Sequence, residues 1–530
     1  MKKILFVSSI LLSSSLFAQF DPSERSTSQK FDEVMDNVTR FYVDPVKGKE
    51  LTETAIIAML EKLDPHSTYI PAEELSEAQT SINGSFVGVG IRFQIMKDTL
   101  NVVATIPGGP SEKLGILPGD QIVGVDGKTI AGIGLKNNDV RTKLMGELGT
   151  KVLLEVKRRS QKENLVFNIT RDKIPVYSVD AHYMIDKETG YIRLNSFSRT
   201  TVEEVHTAMV ALKAKGMKNL IFDLQGNGGG LLDAAHKLAD EFLSGDKLIV
   251  YSEGRAQPRS NLKAGKKGLF EDGKLILLTD EYSASASEIL SGAIQDWDRG
   301  LVVGRRTFGK GLVQRPMPLS DGSEIRLTIA RYYTPAGRFI QKPYDDPAMY
   351  KKDLTQRFLN GEFIHADSIK MPDSLLFKTL KTNRTVYAGG GIMPDFFVPL
   401  DTTENSDYLS DLFQGGYINS FPFRYLTDQR EQLKAKYPTF DSFKQNFKCD
   451  EVFMQTFFDY VKKENPKLEF VEKDYEVSKK LIQLRLKANL AQDLWGVNEF
   501  FQVYNDSNEI LQRAINVINS KEYNSIKLDK

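Results

Sequence analysis

A chain of 530 residues, 41% apolar and 26% charged, is too long for one ordinary core and has the composition of a soluble globular protein of several domains. Lysine plus arginine equals aspartate plus glutamate at 70 each, so no net field favours nucleic acid or an anionic membrane, and no basic stripe does so locally. The single cysteine, Cys449, excludes an internal disulfide and leaves stability to packing.

The first residues differ from the rest. Met1-Lys2-Lys3 is basic, residues 4–17 are apolar with serines, and Ala18 is small, which reads as a secretory signal peptide over 1–18. The apolar run is short of the roughly 20 residues a spanning helix needs. Residues 19–82 form a polar helical region, in which Phe31, Val34, Met35, Val38 and Phe41 recur at helical spacing. His66 follows Asp64-Pro65 in a turn.

Short strands are predicted next, at 86–95, 100–106, 121–125, 151–157 and 164–170, with helical segments at 111–114 and 138–148. Together they make a small module over 83–172. From 173 to 402 the pattern alternates. Strands are predicted at 191–197, 220–224, 248–252, 275–279 and 301–303, and helices at 201–215, 231–243 and 285–297. This implies crossover connections and a sheet covered by helices. Asp321-Gly322 marks a hairpin, which makes the sheet mixed. Residues 345–385 read as a polar, irregular insertion or lid, and 396–400 as a last strand. Residues 403–530 are helical, lysine-rich and aromatic, with the longest helix at 475–494. The expected fold class is a multidomain α/β protein: a mixed-sheet α/β core, an inserted β-rich module and helical N- and C-terminal regions.

There is no His-Glu-x-x-His, Cys-x-x-Cys, phosphate loop or Gly-x-Ser-x-Gly elbow, which argues against a zinc enzyme, a nucleotide enzyme or an ordinary hydrolase elbow. His206 and His236 fall within helices and read as structural. Three other stretches are unusual. Phe222-Asp223-Leu224-Gln225-Gly226-Asn227-Gly228-Gly229-Gly230 joins a buried strand to a helix, and its glycines leave N–H groups free to face an oxyanion; a plain glycine turn fits equally well. Ser283-Ala284-Ser285-Ala286-Ser287-Glu288 opens a helix, and locally Ser285 with Glu288 is more simply a capping box. Phe308-Gly309-Lys310-Gly311-Leu312-Val313-Gln314 sets a lysine among apolar residues, where desolvation would make it a usable base.

Taken together and in this order, the three stretches resemble the signatures of the C-terminal processing peptidases, or tail-specific proteases. Arg331-Tyr332-Tyr333-Thr334-Pro335-Ala336-Gly337-Arg338 resembles a further one. The resemblance covers roughly residues 30–400. It implies that Ser285 is the nucleophile, Lys310 its general base and Gln314 the group that orients the lysine. The oxyanion site would use backbone N–H groups of Ala286 and of Gly229 or Gly230. The sequence departs from the usual pattern at Gln225, where arginine is common, and at Gly228, where proline is common.

Residues 83–172 resemble a PDZ domain of the bacterial, permuted kind. Phe86-Val87-Gly88-Val89-Gly90-Ile91 matches the carboxylate-binding loop and first groove strand, and residues 110–119 match the Pro-x-x-x-x-Gly-x-x-Pro-Gly stretch. Such a module adds a peptide tail as a strand. Gly88, Val89, Gly90, Ile91, Val140 and Leu144 are the candidate contacts, although Val140 and Leu144 also read as core. The expected activity is that of an exported, periplasmic or cell-envelope bacterial serine endopeptidase with no metal or organic cofactor. Its partners would be protein or peptide substrates with free C-terminal tails, with no nucleic acid. The resemblance also implies a homodimer assisted by the N-terminal region, and leaves a place for an activating adaptor protein. The rival readings are a catalytically silent tail-binding scaffold or chaperone and a hydrolase of non-peptide esters.

Overall fold

A computed structural model describes residues 22–265 and 267–528, so the signal-peptide expectation over 1–18 lies outside the described residues. Of the described residues, those up to Asp64 form one compact unit and those from Pro65 onward a second. The first unit contains the helices Pro22–Phe41 and Gly48–Glu61, in which Leu60 is buried while Phe31, Val34, Ile57 and Met59 stay exposed. Among the described residues no helix is long and apolar enough to cross a membrane.

The second unit is built around a six-stranded sheet. Its strand order is Val179–Met184, Thr189–Leu194, Asn219–Asp223, Leu275–Thr279, Leu301–Gly304 and Phe396–Phe397. The first pair is antiparallel and the others are parallel. Parallel strands covered on both faces are continuously apolar, which is why Leu220-Ile221-Phe222 and Leu275-Ile276-Leu277-Leu278 carry no alternation. The helices Thr201–Ala214, Leu232–Asp240 and Ala286–Asp296 bury Val205, Leu212, Leu238 and Leu290 against one face. The other face is covered from the end of the chain. Ile510, Leu511, Ala514, Val517 and Ile518, on the helix Glu509–Asn519, pack on Ile221, Ile276, Leu278, Leu301 and Val303. The C-terminal region therefore has two parts: an aromatic helical bundle around Phe421, Phe443 and Phe457, and a final segment that completes the central sheet.

Two differences from the sequence reading bear on the site. The hairpin at Asp321-Gly322 is not in the central sheet. Its arms Leu312–Pro318 and Glu324–Tyr333 belong to a second sheet with Thr68–Ile70, Leu248–Glu253 and Ser260–Lys263. Nor is the start of 345–385 irregular. Asp346 caps a helix, Pro347–Leu359, by accepting the N–H groups of Ala348 and Met349, with proline at its first position. Its buried Arg357 donates to the carbonyls of Arg306 and Thr307 at 2.8 and 3.1 Å, so this helix supports the lysine stretch from behind.

The β-rich module has its own five main strands, Ile91–Met96, Thr99–Thr105, Gln121–Val125, Lys151–Lys157 and Leu165–Thr170. Its two ends are joined where Ser85–Gly88 pairs antiparallel with Asp172–Pro175. Leu100, Ile122, Leu154, Val156 and Ile169 form its core.

Candidate active site

The strands Asn219–Asp223 and Leu275–Thr279 are parallel neighbours, so the loops leaving their carboxyl ends meet in one crevice. There the serine stretch turns sharply. Ser285 has φ 57° and ψ −112°, a conformation that non-glycine residues adopt only when their surroundings over-determine it. The surroundings do so through the two flanking serines. Ser283 Oγ donates to the Leu224 carbonyl at 2.8 Å, and Ser287 Oγ donates to the Asn227 carbonyl at 2.9 Å. Both serines are completely buried, whereas Ser285 lines an open cleft.

Asn227 stitches the glycine loop to this turn. Its carbonyl also accepts the Ala284 N–H at 3.0 Å, and its side chain donates to the Leu194 carbonyl and accepts the Gly229 N–H, both at 2.9 Å. Gly229 sits so close to the turn that a Cβ there would lie 2.7 Å from the Ser285 Cβ. At Gly230 a Cβ would lie 2.1 Å from the Phe197 carbonyl oxygen. The two glycines thus differ: the Gly229 N–H is turned inward onto Asn227, while Gly230 lines the cleft. Ala286 is the first residue of the helix Ala286–Asp296, where an N–H has no intrahelical partner.

Lys310 reaches the same cleft from the loop after Leu301–Gly304. What ties its loop to the serine turn is Glu288. The Glu288 carboxylate accepts the N–H of Ser285 at 2.8 Å, of Gly309 at 2.7 Å and of Lys310 at 2.9 Å, and the Thr307 hydroxyl at 2.5 Å. Burial raises its pKa above the ordinary carboxylate range, and these four donors oppose that shift. The capping-box reading of Glu288 caught one of the four bonds. Tyr332 makes a second tie, donating to the carbonyls of Lys310 and, at 3.1 Å, of Ser285. Gln314 also lines the cleft, just after a β-bulge, with its amide nitrogen donating to the Thr328 hydroxyl at 3.1 Å.

The cleft measures about 580 Å³, and Ile82, Leu231, Leu232, Ile289, Leu312 and Val313 give it apolar walls. His66 also lines it, bonded through Nε2 to the Tyr350 hydroxyl at 2.8 Å. Sequence reading left His66 in a turn, and no local signal points from that turn to a cleft hundreds of residues away.

The six groove candidates also come together. Gly88, Val89, Gly90, Ile91, Val140 and Leu144 line one apolar groove of about 370 Å³. Val140 and Leu144 belong at the same time to the module's core. The helix Ala72–Asn83 borders the groove with Glu77, Thr80 and Ser81, and Glu77 pairs with Arg141 across it. Gln79, Ile82 and Asn83 of the same helix line the cleft at Ser285.

Comparison with known proteins shows the family of the chain. Residues 188–348 match the model of peptidase family S41, residues 102–158 match a PDZ domain, and residues 408–496 match a family of unknown function. A carboxy-terminal-processing protease of Bartonella bacilliformis is 36% identical over 352 residues, covering 64% of this chain and 80% of that one. The carboxy-terminal processing protease CtpA of Bacillus subtilis is 34% identical over 318 residues, covering 60% and 67%. Among solved structures, a photosystem II D1 C-terminal processing protease aligns at 30% identity over 59% of this chain and 89% of its own, with a TM-score of 0.33. Fold and site thus define a serine-type peptidase with a PDZ domain. Within that class, the chain belongs to the carboxy-terminal processing proteases of peptidase family S41.

Proposed function

We propose that this protein is an exported endopeptidase that captures protein C-terminal tails in the Gly88–Ile91 groove and cleaves through an acyl-enzyme on Ser285. The observation that carries the reading is that Ser285, alone of its triplet, opens from a strained turn into the cleft that also receives Lys310. Ser285 Oγ attacks the scissile carbonyl carbon while its proton passes to the unprotonated Lys310 amine. The N–H groups of Ala286 and Gly230 face the oxygen that gains charge, and removing one such donor typically costs about 2.7–4 kcal/mol. As the C–N bond breaks, Lys310 returns the proton to the leaving amine. Water then attacks the acyl-enzyme, Lys310 takes its proton, and Ser285 is restored. Gln314 helps hold the lysine, and Glu288 and Tyr332 keep serine turn and lysine loop in register.

Residues 1–18 direct export, so N-terminal sequencing of the mature protein should begin at residue 19. The main test uses an unfolded protein with an apolar tail. Ser285→Ala and Lys310→Ala should each abolish cleavage, and amidating the tail carboxylate should slow the wild type. Wild-type rates in either variant would refute the dyad, and equal rates on free and amidated tails would refute tail capture.

A further inference from the structure

The glycine loop can present an N–H to an oxyanion only if its entry is fixed; Asp280 holds the Gly226 N–H at 2.9 Å, and one residue outside every recognised motif holds the position before it. Residue 225 is held at both of its backbone groups. Its N–H donates to Asp223 Oδ1 at 2.8 Å, and its carbonyl accepts Arg193 Nη2 at 2.9 Å. The same guanidinium donates through Nη1 to Asp223 Oδ2 at 2.7 Å, an oxygen that also accepts the Tyr191 hydroxyl at 2.5 Å. Asp223 is completely buried, and this fork sets a guanidinium directly against it. The Gln225 side chain takes no part, since its amide nitrogen is buried without a hydrogen-bond partner. Immediately after residue 225 the chain enters the turn at Gly226 and reaches Asn227, the residue that joins the loop to the serine turn.

The far side of the guanidinium is closed by the end of the chain. The Phe501 ring lies 4.6 Å from Arg193 Cζ, on the helix Val497–Tyr504. That helix is docked along the edge strand by Asn498, which accepts the His182 N–H at 2.9 Å, and is followed by Asn505, which donates to the Tyr183 hydroxyl at 2.8 Å.

We infer that Arg193 is a positioning residue for the oxyanion loop, and that the C-terminal segment, through Phe501, forms part of the catalytic machinery. The inference rests on the Ser285 reading and adds to it an element from the opposite end of the chain. Arg193 is not among the residues that line the cleft. It sets where the Gly226–Gly230 loop stands relative to Ser285, and a displacement approaching 1 Å at such a site costs on the order of 10²-fold in rate.

The test uses the full chain and a fluorophosphonate that acylates active-site serines. Arg193→Lys keeps a cation beside Asp223 but loses the fork that spans Asp223 and the residue 225 carbonyl. Its labelling rate and kcat should fall about 10- to 100-fold, with KM within about threefold of wild type and final labelling still one adduct per chain. Phe501→Leu, which keeps an apolar roof without a ring, should lower the labelling rate about two- to fivefold. Wild-type labelling rates in Arg193→Lys overturn the inference. So does a fall in adduct stoichiometry with an unchanged rate per labelled chain, the mark of a purely structural residue. Failure of the wild-type protein itself to label would instead count against the Ser285 assignment.

Discussion

The cleft at Ser285 and the groove of the PDZ module share the helix Ala72–Asn83 as a wall, yet they are fixed by different forces. The cleft is fixed by buried polar groups that each make several hydrogen bonds, Asn227 and Glu288 above all, and by glycines with no room for a side chain. The groove is fixed by apolar side chains that double as the core of the PDZ module. A hydrogen-bonded network tolerates little displacement, whereas an apolar wall loses affinity gradually as it is altered. Changes at the cleft should therefore act on kcat and be severe, and changes at the groove should act on tail affinity and be graded.

The largest effect that would break this contrast is expected at Gly229. Gly229→Ala places a methyl 2.7 Å from the Ala284 carbonyl oxygen and the Ser285 Cβ, at a φ of 100° that disfavours any side chain. It should lower kcat at least 10²-fold while leaving the tail affinity of the groove unchanged, measured by steady-state kinetics and fluorescence titration with a free peptide. Val140→Thr is the matching change in the groove. It keeps the volume and adds a hydroxyl to an apolar wall, so affinity for an apolar tail should fall about fivefold to tenfold, raising KM with kcat intact. The smallest effect is expected at Cys449, in neither site. Burial pushes its thiol up to about 12, and Sγ donates to the Gln483 carbonyl at 3.3 Å. Alkylation of the folded protein should stay slow through pH 9 and become fast only on unfolding or as pH approaches 12, with no loss of activity before then.

The same contrast governs what could be read in the sequence. The strands Gln121–Val125, Lys151–Lys157 and Leu275–Thr279 are legible to the residue, because alternation or an unbroken apolar run marks a strand directly. The helix Pro347–Leu359 is hidden by its polar composition, although Asp346-Pro347 is a helix start. In the site, the serine, lysine and glycine stretches are contiguous and carry a family resemblance. Glu288 was visible only as half of a capping box, because the helix cap and the four-bond hub use the same residue at the same spacing. His66 and Arg193 were not legible, since their roles depend on strands that meet only after folding. The distinction between Gly229 and Gly230 is likewise a matter of one inward hydrogen bond to Asn227, which no pattern in the sequence specifies.

The proposed nucleophile is tested most directly by trapping the acylated protein with a fluorophosphonate and mapping the adduct by peptide mass spectrometry. The adduct should fall on Ser285 alone, and Lys310→Ala should form it at least 10²-fold more slowly. An adduct on Ser283 or Ser287, or undiminished labelling in Lys310→Ala, would contradict the Ser285/Lys310 mechanism.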